Sequence, residues 1–304
     1  MSNTEPNQKN TIAQNERTAT NFGLIAVLLW STVATGFKLG LEVLSVLQLL
    51  FLGTVISWGV FLSVVLATHE YFIRRSEIAK VVCLGLLNPC AYYVILFSAY
   101  ERLPAYIAQP LNYTWAITLA VLAVPLLKHT LSTKNLFAIS ISYLGVVVLL
   151  TFETNTTQDG LSWVGISLAM SSTLIWALYW ILNTKCYSKP IPLMFWSFTA
   201  ALPMLGLGLL TTDGFPPLTL PNLFYGAWVG LLEMGITFLA WQRALRLAPN
   251  AGRISQLIFL SPILSLGIIY LILEEPIGLG ALSGVSIIFA GLWLNQRQAN
   301  STSS

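Results

Sequence analysis

Charged side chains are scarce in this sequence. Asp, Glu, Lys and Arg make up 9% of its 304 residues, whereas a typical soluble domain holds about 25%. Hydrophobic residues make up 56%, and the few charges cluster between apolar runs instead of alternating with them. This composition argues against a soluble domain and favours a chain that spans a lipid bilayer.

Residues that bind metals or carry out redox chemistry are also few. Cys83, Cys90 and Cys186 show neither a CxxC nor a metal-ligand spacing, and the two histidines are His69 and His129. The sequence holds no Gly-rich phosphate loop and no cluster of His and Glu with metal-ligand spacing. We therefore expect no metal, no cofactor, no enzymatic centre and no ATP-driven pumping by this chain alone.

Long apolar segments recur along the chain. A membrane span needs roughly 20 apolar residues, and on that rule we predict ten spans. They cover residues 20–38, 46–67, 78–99, 105–126, 134–151, 161–184, 191–211, 222–243, 251–272 and 277–295. Residues 1–19 and 297–304 are polar, which predicts disordered cytoplasmic tails.

The two halves of the chain resemble each other. Gly85-Leu86-Leu87 recurs as Gly230-Leu231-Leu232, and Pro104 recurs as Pro249, both at an offset of 145 residues. The repeats cover residues 20–151 and 161–296, and each holds five predicted spans. Because five is odd, the second copy enters the membrane upside down, and inverted repeats of this kind build the two gates of many secondary transporters. We predict an all-α membrane protein with ten transmembrane helices, arranged as two inverted five-helix repeats around a central cavity.

The positive charges give the orientation. With the N-terminus in the cytoplasm, thirteen of the fifteen Lys and Arg residues lie on the cytoplasmic side, and only Lys38 and Arg102 lie on the far side. This is a strong positive-inside asymmetry. The formal charge of +3 therefore reflects membrane orientation, and we expect no nucleic-acid partner.

One carboxylate is predicted well inside a span. Glu233 lies between Leu232 and Met234, where a charged side chain costs about 2.5–3.5 kcal/mol on insertion scales. It must face the bundle interior or a water-filled cavity. Two interpretations stay open: Glu233 binds substrate or a coupling proton, or it is a structural carboxyl bonded to a neighbouring helix. Its counterpart in the first repeat is Asn88.

Aromatic and amide side chains concentrate at the level of Glu233. Trp176 and Tyr179 are three residues apart and share one helix face. Such side chains can form a cavity wall that stacks planar or apolar substrates, or belts at the membrane interfaces. The predicted substrate-binding residues are Trp30, Tyr92, Tyr93, Asn112, Tyr113, Trp115, Trp176, Tyr179, Glu233, Trp241 and Gln242.

Two lysines end equivalent helices of the two repeats. Lys38 closes the first predicted span and Lys185 the sixth, so they should lie on opposite faces of the membrane. Each either extends to the lipid–water interface or acts as a gate that contacts a substrate carboxylate. With Glu233, they are the candidate coupling or gate residues.

Short motifs give a family resemblance. Leu29-Trp30-Ser31-Thr32 and the 5+5 layout resemble the EamA-type drug/metabolite transporter superfamily over about residues 20–296. Asn112-Tyr113-Thr114-Trp115 and Trp176-Ala177-Leu178-Tyr179 are most similar to the bacterial aromatic amino acid exporters. The resemblance implies a basket of ten helices in the bacterial inner membrane, with both termini cytoplasmic. It would place Trp30, Asn112, Tyr113, Trp115, Trp176 and Tyr179 at the central cavity.

The expected function is export of small metabolites, foremost amino acids with aromatic or apolar side chains, by alternating access. The expected partners are a small-molecule substrate and the lipid bilayer, and the chain is expected to be a monomer or a weak homodimer. Two alternatives stay open. One is transport of another metabolite or a drug, and the other is a regulatory membrane protein that binds a ligand without moving it.

Overall fold

The computed structural model describes residues 5–128, 132–156, 161–248, 254 and 256–302. Every regular element in these ranges is a helix, which confirms the all-α prediction. A protein in the bilayer must satisfy its backbone hydrogen bonds internally, and helices do so within each segment.

Eight helical stretches in the described ranges are long and apolar enough to cross a membrane. They are Gln14–Leu41, Val46–Thr68, Arg75–Arg102, Ala105–Leu127, Thr133–Phe152, Trp163–Thr184, Pro190–Thr211 and Leu220–Leu247. Two shorter apolar stretches, Leu257–Leu273 and Leu279–Leu294, lie where the ninth and tenth spans are predicted. The total of ten spans therefore stays a prediction.

Several stretches contain more than one helix. The α-helices are α1 (Glu5–Ser31), α2 (Val33–Leu41), α3 (Val46–Thr68), α4 (Ile78–Gly85), α5 (Tyr92–Arg102), α6 (Ala105–Tyr113), α7 (Trp115–Leu127), α8 (Thr133–Thr156), α9 (Trp163–Thr184), α10 (Pro190–Thr211), α11 (Leu220–Ala227), α12 (Ile236–Leu247), α13 (Leu260–Ile268) and α14 (Leu279–Thr302). The π-helical segments are Leu86–Ala91, Trp228–Gly235 and Ile269–Leu273, and the 3₁₀ turns are Arg75–Glu77 and Gln256–Phe259.

The first and last helices run into the predicted tails. The backbone of residues 5–19 is helical as part of α1, and α14 continues to Thr302. Neither extension holds a Gly or a Pro beyond Pro6, so no helix-breaking residue ends the helix where the apolar stretch ends. Residues 1–4 and 303–304 lie outside the described residues.

Local sequence signals mark several helix starts. Ser45 and Gln48 form a capping box at the start of α3, in which each side chain accepts from the other residue's N–H. Ser162 accepts from the N–H of Gly165 at the start of α9 over 3.1 Å. Pro190 occupies the first turn of α10, where its missing N–H leaves no hydrogen bond unmade.

Two spans are broken at corresponding positions of the repeats. The stretch Arg75–Arg102 is interrupted by the π-helical segment Leu86–Ala91, where Asn88 leaves helical geometry with φ −144° and ψ 118°. The stretch Leu220–Leu247 is interrupted by the π-helical segment Trp228–Gly235, and Gly235 leaves helical geometry at its end. The offset of 145 residues aligns Asn88 with Glu233 and Gly235 with Cys90, so the two π-helical segments overlap in the sequence alignment of the repeats.

The last helices of the two repeats form a tight seam of α8 against α14. A Cβ added at Gly145 would lie 2.5 Å from the backbone N of Ile288. One added at Gly284 would lie 2.5 Å from the backbone N of Leu149. Since lipid supplies little hydrophobic driving force between helices, such close backbone packing of small residues is what holds them together.

Candidate functional site

A cavity of about 370 Å³ lies between helices of both repeats. This is within the range of about 300–1,000 Å³ that small-molecule sites occupy. Its lining residues are Trp30, Val33, Ala34, Phe37, Tyr92, Leu96, Tyr100, Gln109, Asn112, Tyr113, Trp115, Leu119, Trp176, Trp180, Glu233, Phe238, Trp241 and Ile258. The first repeat supplies α1, α2 and α5–α7, and the second supplies α9, α12 and the π-helical segment around Glu233.

Most of the predicted binding residues lie in this lining. The structure brings together Trp30, Tyr92, Asn112, Tyr113, Trp115, Trp176, Glu233 and Trp241. Three others do not line the cavity. Tyr93 is fully buried behind Glu233, Tyr179 is buried against Trp176, and Gln242 lies away from the lining on α12.

Trp176 is the centre of an aromatic cluster. Its ring stacks on Tyr92 with centroids 4.4 Å apart and on Tyr179 at 5.3 Å, with interplanar angles of 28° and 20°. The rings of Trp115, Trp180 and Phe238 meet it edge-on. Offset-stacked and edge-to-face pairs are the favoured aromatic geometries. The cluster therefore forms a rigid apolar wall for a planar ligand.

Glu233 is held by the first repeat. The hydroxyl of Tyr93 donates to its Oε1 over 2.9 Å, and the indole N–H of Trp30 reaches its backbone carbonyl at 3.4 Å. In the described part of the chain, the ion pairs are Arg102–Glu101 and Lys189–Glu70. Glu233 thus faces the cavity with one hydroxyl donor, and no cationic side chain of the described residues forms an ion pair with it.

Both ends of the Asn112 amide form hydrogen bonds with neighbouring side chains. Its Oδ1 accepts from the hydroxyl of Tyr92 at 3.2 Å, and its Nδ2 donates to Ser172 over 2.9 Å. The hydroxyl of Ser172 in turn donates to the carbonyl of Ala169. This network fixes the rotamers of Tyr92 and Asn112 across α5, α6 and α9, so the polar part of the wall is preorganised.

Sequence reasoning missed several lining residues, and Gln109 is the most informative. It is 5% exposed, and its Oε1 is buried without a hydrogen-bond partner among the described residues. The Nε1 of Trp180 is likewise buried without a partner there. The available signal was an amide beside Pro110 inside an apolar span, because polar residues in spans tend to face the bundle interior.

Lys38 is engaged in structural hydrogen bonds at one end of the cavity. Its Nζ donates to the carbonyls of Tyr100 and Leu103 at 2.7 and 2.9 Å, which caps the C-terminus of α5. Lys185 has an exposed side chain, and its backbone carbonyl accepts from Lys80 over 2.9 Å. Neither lysine lines the cavity, although Lys38 supports Tyr100, which does.

A buried carboxylate joins the repeats on the other face. Glu77, which is 1% exposed, accepts from the N–H groups of Tyr187 and Ser188 at 2.6 and 3.1 Å and from the hydroxyl of Ser188 at 2.5 Å. Arg74 and Lys80 lie over the ring of Tyr187. These contacts, here called the Glu77 latch, connect the loop before the third span to the loop after the sixth.

Comparison with known proteins gives a family match over nearly the whole chain. The model of the EamA-like transporter family matches residues 18–151 and 163–296. These limits lie within two residues of the repeats predicted from the sequence.

The relatives of this chain share low sequence identity with it, but the matches cover most of its length. An uncharacterized transporter of Archaeoglobus fulgidus is 22% identical over 276 residues, which cover 90% of this chain and 97% of the relative. The uncharacterized transporter YyaM of Bacillus subtilis is 24% identical, and the match covers 72% of this chain and 73% of YyaM. Protein PecM of Dickeya dadantii is 25% identical, and the match covers 71% of this chain and 73% of PecM.

A solved structure shares the fold. It is described only as "Crystal structure of protein" and superposes with a TM-score of 0.63 at 19% identity, covering 95% of this chain and 100% of the other.

Proposed function

Since the chain belongs to the EamA-like transporter family, we propose that it is a secondary transporter that exports small metabolites, foremost amino acids with aromatic or apolar side chains. The observation that carries the proposal is the composition of the cavity wall. Stacked rings around Trp176 suit a planar side chain, and Glu233 with Gln109 supplies polar groups for the other end of the ligand.

The proposed cycle is alternating access. In this cycle the ten predicted spans form two inverted repeats, and the cavity between them lies near the bilayer midplane, as in other secondary transporters with discontinuous helices. The broken spans at Asn88 and Glu233 support this placement because they lie at matching positions of the two repeats. The protein lies in the bacterial inner membrane with both termini cytoplasmic, as the positive-inside distribution of Lys and Arg favours.

Inter-repeat contacts on both faces are the proposed gates. The Glu77 latch falls on the cytoplasmic side of this topology. On the far side, Glu275 accepts hydrogen bonds from the backbone at Ala105 and Tyr106, next to the carbonyls that Lys38 caps. Each set joins one repeat to the other, so one set must open while the other holds.

Glu233 is the proposed coupling residue. It is the one acidic side chain in the described lining, and a carboxyl in a membrane interior is a functional site by default. A proton carried by Glu233 into one half of the cycle and released in the other couples export to the proton gradient. The cavity is built within one chain, so a monomer or a weak homodimer can carry out the whole cycle.

Counterflow in liposomes tests the proposal. The purified protein is reconstituted into liposomes, which are loaded with an unlabelled amino acid. A labelled amino acid is then added outside, and the panel of labels includes tryptophan, phenylalanine and threonine. We expect accumulation of an aromatic label, lost in Trp176→Ala and retained in Trp163→Ala, whose side chain is 67% exposed away from the cavity.

The same assay separates the alternatives. Counterflow of another metabolite or drug, with none for amino acids, would keep the transporter and replace its substrate. Binding without counterflow of any ligand, from folded protein, would favour the regulatory interpretation over the proposed one.

A further inference from the structure

The charges around the cavity are one-sided. Within the described residues the lining holds a single carboxylate, Glu233, and no Lys, Arg or His. The nearest lysine along the chain to the lining, Lys38, is turned to the carbonyls of Tyr100 and Leu103. Arg243, on the helix that carries Trp241, has an exposed side chain. Among the described residues the site therefore presents one ionisable carboxyl and no cationic side chain to pair with it.

One buried polar atom of the lining needs a donor. Asn112 uses its Oδ1 and one of its two amide hydrogens on Tyr92 and Ser172. Gln109 keeps a buried acceptor, Oε1, without a partner in the described chain. Such an acceptor costs about 1–3 kcal/mol. It is closed off from the cavity, so the amide of Gln109 turns when it accepts from a ligand ammonium group.

The donors for a ligand carboxylate are all neutral. The described lining offers indole, amide and hydroxyl groups and no Lys, Arg or His. Neutral donors are a weak offset for a ligand carboxylate, since a buried charge is tolerated best when it is paired with an opposite charge and fully hydrogen-bonded. A ligand carboxylate in this cavity also shares a low-dielectric space with Glu233, which repels it.

The aromatic faces favour a cation as well. Trp30 and Trp241 meet with centroids 5.5 Å apart, and the indole N–H of Trp30 points to the backbone carbonyl of Glu233. Ring faces attract ammonium groups within about 6 Å. Trp30 thus lies beside Glu233 in the lining, where a ligand ammonium group that contacts its ring face would be attracted by the ring as well as by the carboxylate.

We infer that the cavity recognises the ammonium group of its ligand through Glu233 and Gln109, and that it takes aromatic amines of net charge +1 in preference to zwitterions or anions of the same ring. This inference rests on the proposed function for its site and refines the substrate class from amino acids to amines related to them. Such amines arise where a reaction removes, esterifies or amidates the carboxylate of an aromatic amino acid.

Three ligands with one ring test the inference: tryptamine (+1), tryptophan (zwitterion) and indole-3-propionate (−1). Their binding to the full chain in nanodiscs is measured by calorimetry at one pH. We expect tryptamine to bind at least about 10-fold more tightly than tryptophan, and indole-3-propionate to be weaker by at least about another 10-fold, because each step adds or removes one charge beside Glu233.

Two variants assign the effect to residues. In Glu233→Gln the preference for tryptamine over tryptophan should fall to about 3-fold or less, as a neutral amide no longer distinguishes their charges. Gln109→Leu should weaken tryptamine binding by about 10- to 150-fold, the range of one lost hydrogen bond to a charged group. If Glu233→Gln proves unfolded by gel filtration, Gln109→Leu still tests the acceptor role.

Three results would overturn the inference. Tryptophan binds as tightly as tryptamine, the ranking of the ligands is unchanged in folded Glu233→Gln, or none of the three ligands binds.

Counterflow distinguishes a failure of this inference from a failure of the proposed function. If amino acids show counterflow but amines are not preferred, the transport proposal stands and the inference is wrong. If amines are preferred in binding but no ligand shows counterflow, the inference stands and the transport proposal is wrong.

Discussion

Glu275 and Ala105, which belong to different repeats, are joined by a hydrogen bond of 2.9 Å from the N–H of Ala105 to Oε1 of Glu275. The other carboxylate oxygen accepts from the N–H of Tyr106 at 3.2 Å. One side chain thus caps two free donors in the first turn of α6, where the helix dipole also favours a negative charge. The contact lies about one helical turn before Gln109 in the cavity lining.

Replacing Glu275 by Gln should weaken this contact. The amide keeps one acceptor and loses both the charge and the second acceptor. The free energy of unfolding should fall by about 1 kcal/mol, the usual value of a helix N-cap. Thermal melting in detergent measures the change. Glu274→Gln is the matched control, because Glu274 is the exposed neighbour; equal melting temperatures for the two variants would contradict the role of Glu275.

Removal of the Glu77 carboxylate should be more damaging. Glu77→Ala leaves the N–H groups of Tyr187 and Ser188 and one hydroxyl without their acceptor in a buried place. We expect a larger drop in melting temperature than for Glu275→Gln. Glu70→Ala breaks the exposed ion pair with Lys189, which is worth about 1 kcal/mol at most. A Glu77 variant no less stable than the Glu70 variant would show that the latch contributes nothing.

Adding a single methyl group at the α8–α14 seam should destabilise the protein. In Gly284→Ala the new Cβ meets the backbone of Leu149 at 2.5–2.7 Å, and backbone cannot move aside as a side chain can. Overpacking of this kind costs about 1–3 kcal/mol. Gly59→Ala, where nothing lies within 4 Å of the new Cβ, should melt at or above the temperature of the wild type. Expression level and melting in detergent compare the two, and similar values for both would argue against backbone contact at the seam.

Proton coupling through Glu233 predicts a specific loss. An imposed pH gradient should accelerate transport by the wild type, and Glu233→Gln should exchange substrate at the same rate with and without the gradient. Glu42→Gln changes an exposed carboxyl and should keep the acceleration. A Glu233→Gln variant that still responds to the gradient like the wild type would rule out the coupling role and leave a structural carboxyl.

Patterns within one segment predicted much of the architecture. The apolar runs locate the eight full-length spans, and the similarity of the segments at Gly85 and Gly230 gives the two repeats that the family match also finds. The cost of a carboxylate in a span singles out Glu233, which the structure places in the cavity lining. Each of these inferences needs only local composition or spacing.

Features that depend on neighbours from distant segments could not be predicted in the same way. Tyr92 and Tyr93 are adjacent in the sequence, and successive residues of a helix point about 100° apart. Only Tyr92 lines the cavity, and the sequence does not show which of the two directions faces it. Gln242 has the same residue type as Gln109 and lies off the lining. In the sequence, Glu77 and Glu275 resemble ordinary loop charges. Their roles depend on backbone N–H groups of the other repeat, which only the folded structure brings next to them.

The paired breaks at Asn88 and Glu233 also bear on direction. Two identical inverted copies would make the inward-open and outward-open forms mirror each other, with equal energies and equal occupancy in an unenergised membrane. Here one copy carries an amide at the break and the other a carboxyl. In the proposed cycle the two forms would therefore differ in energy at this position, and such a difference would give them unequal populations before any ligand binds.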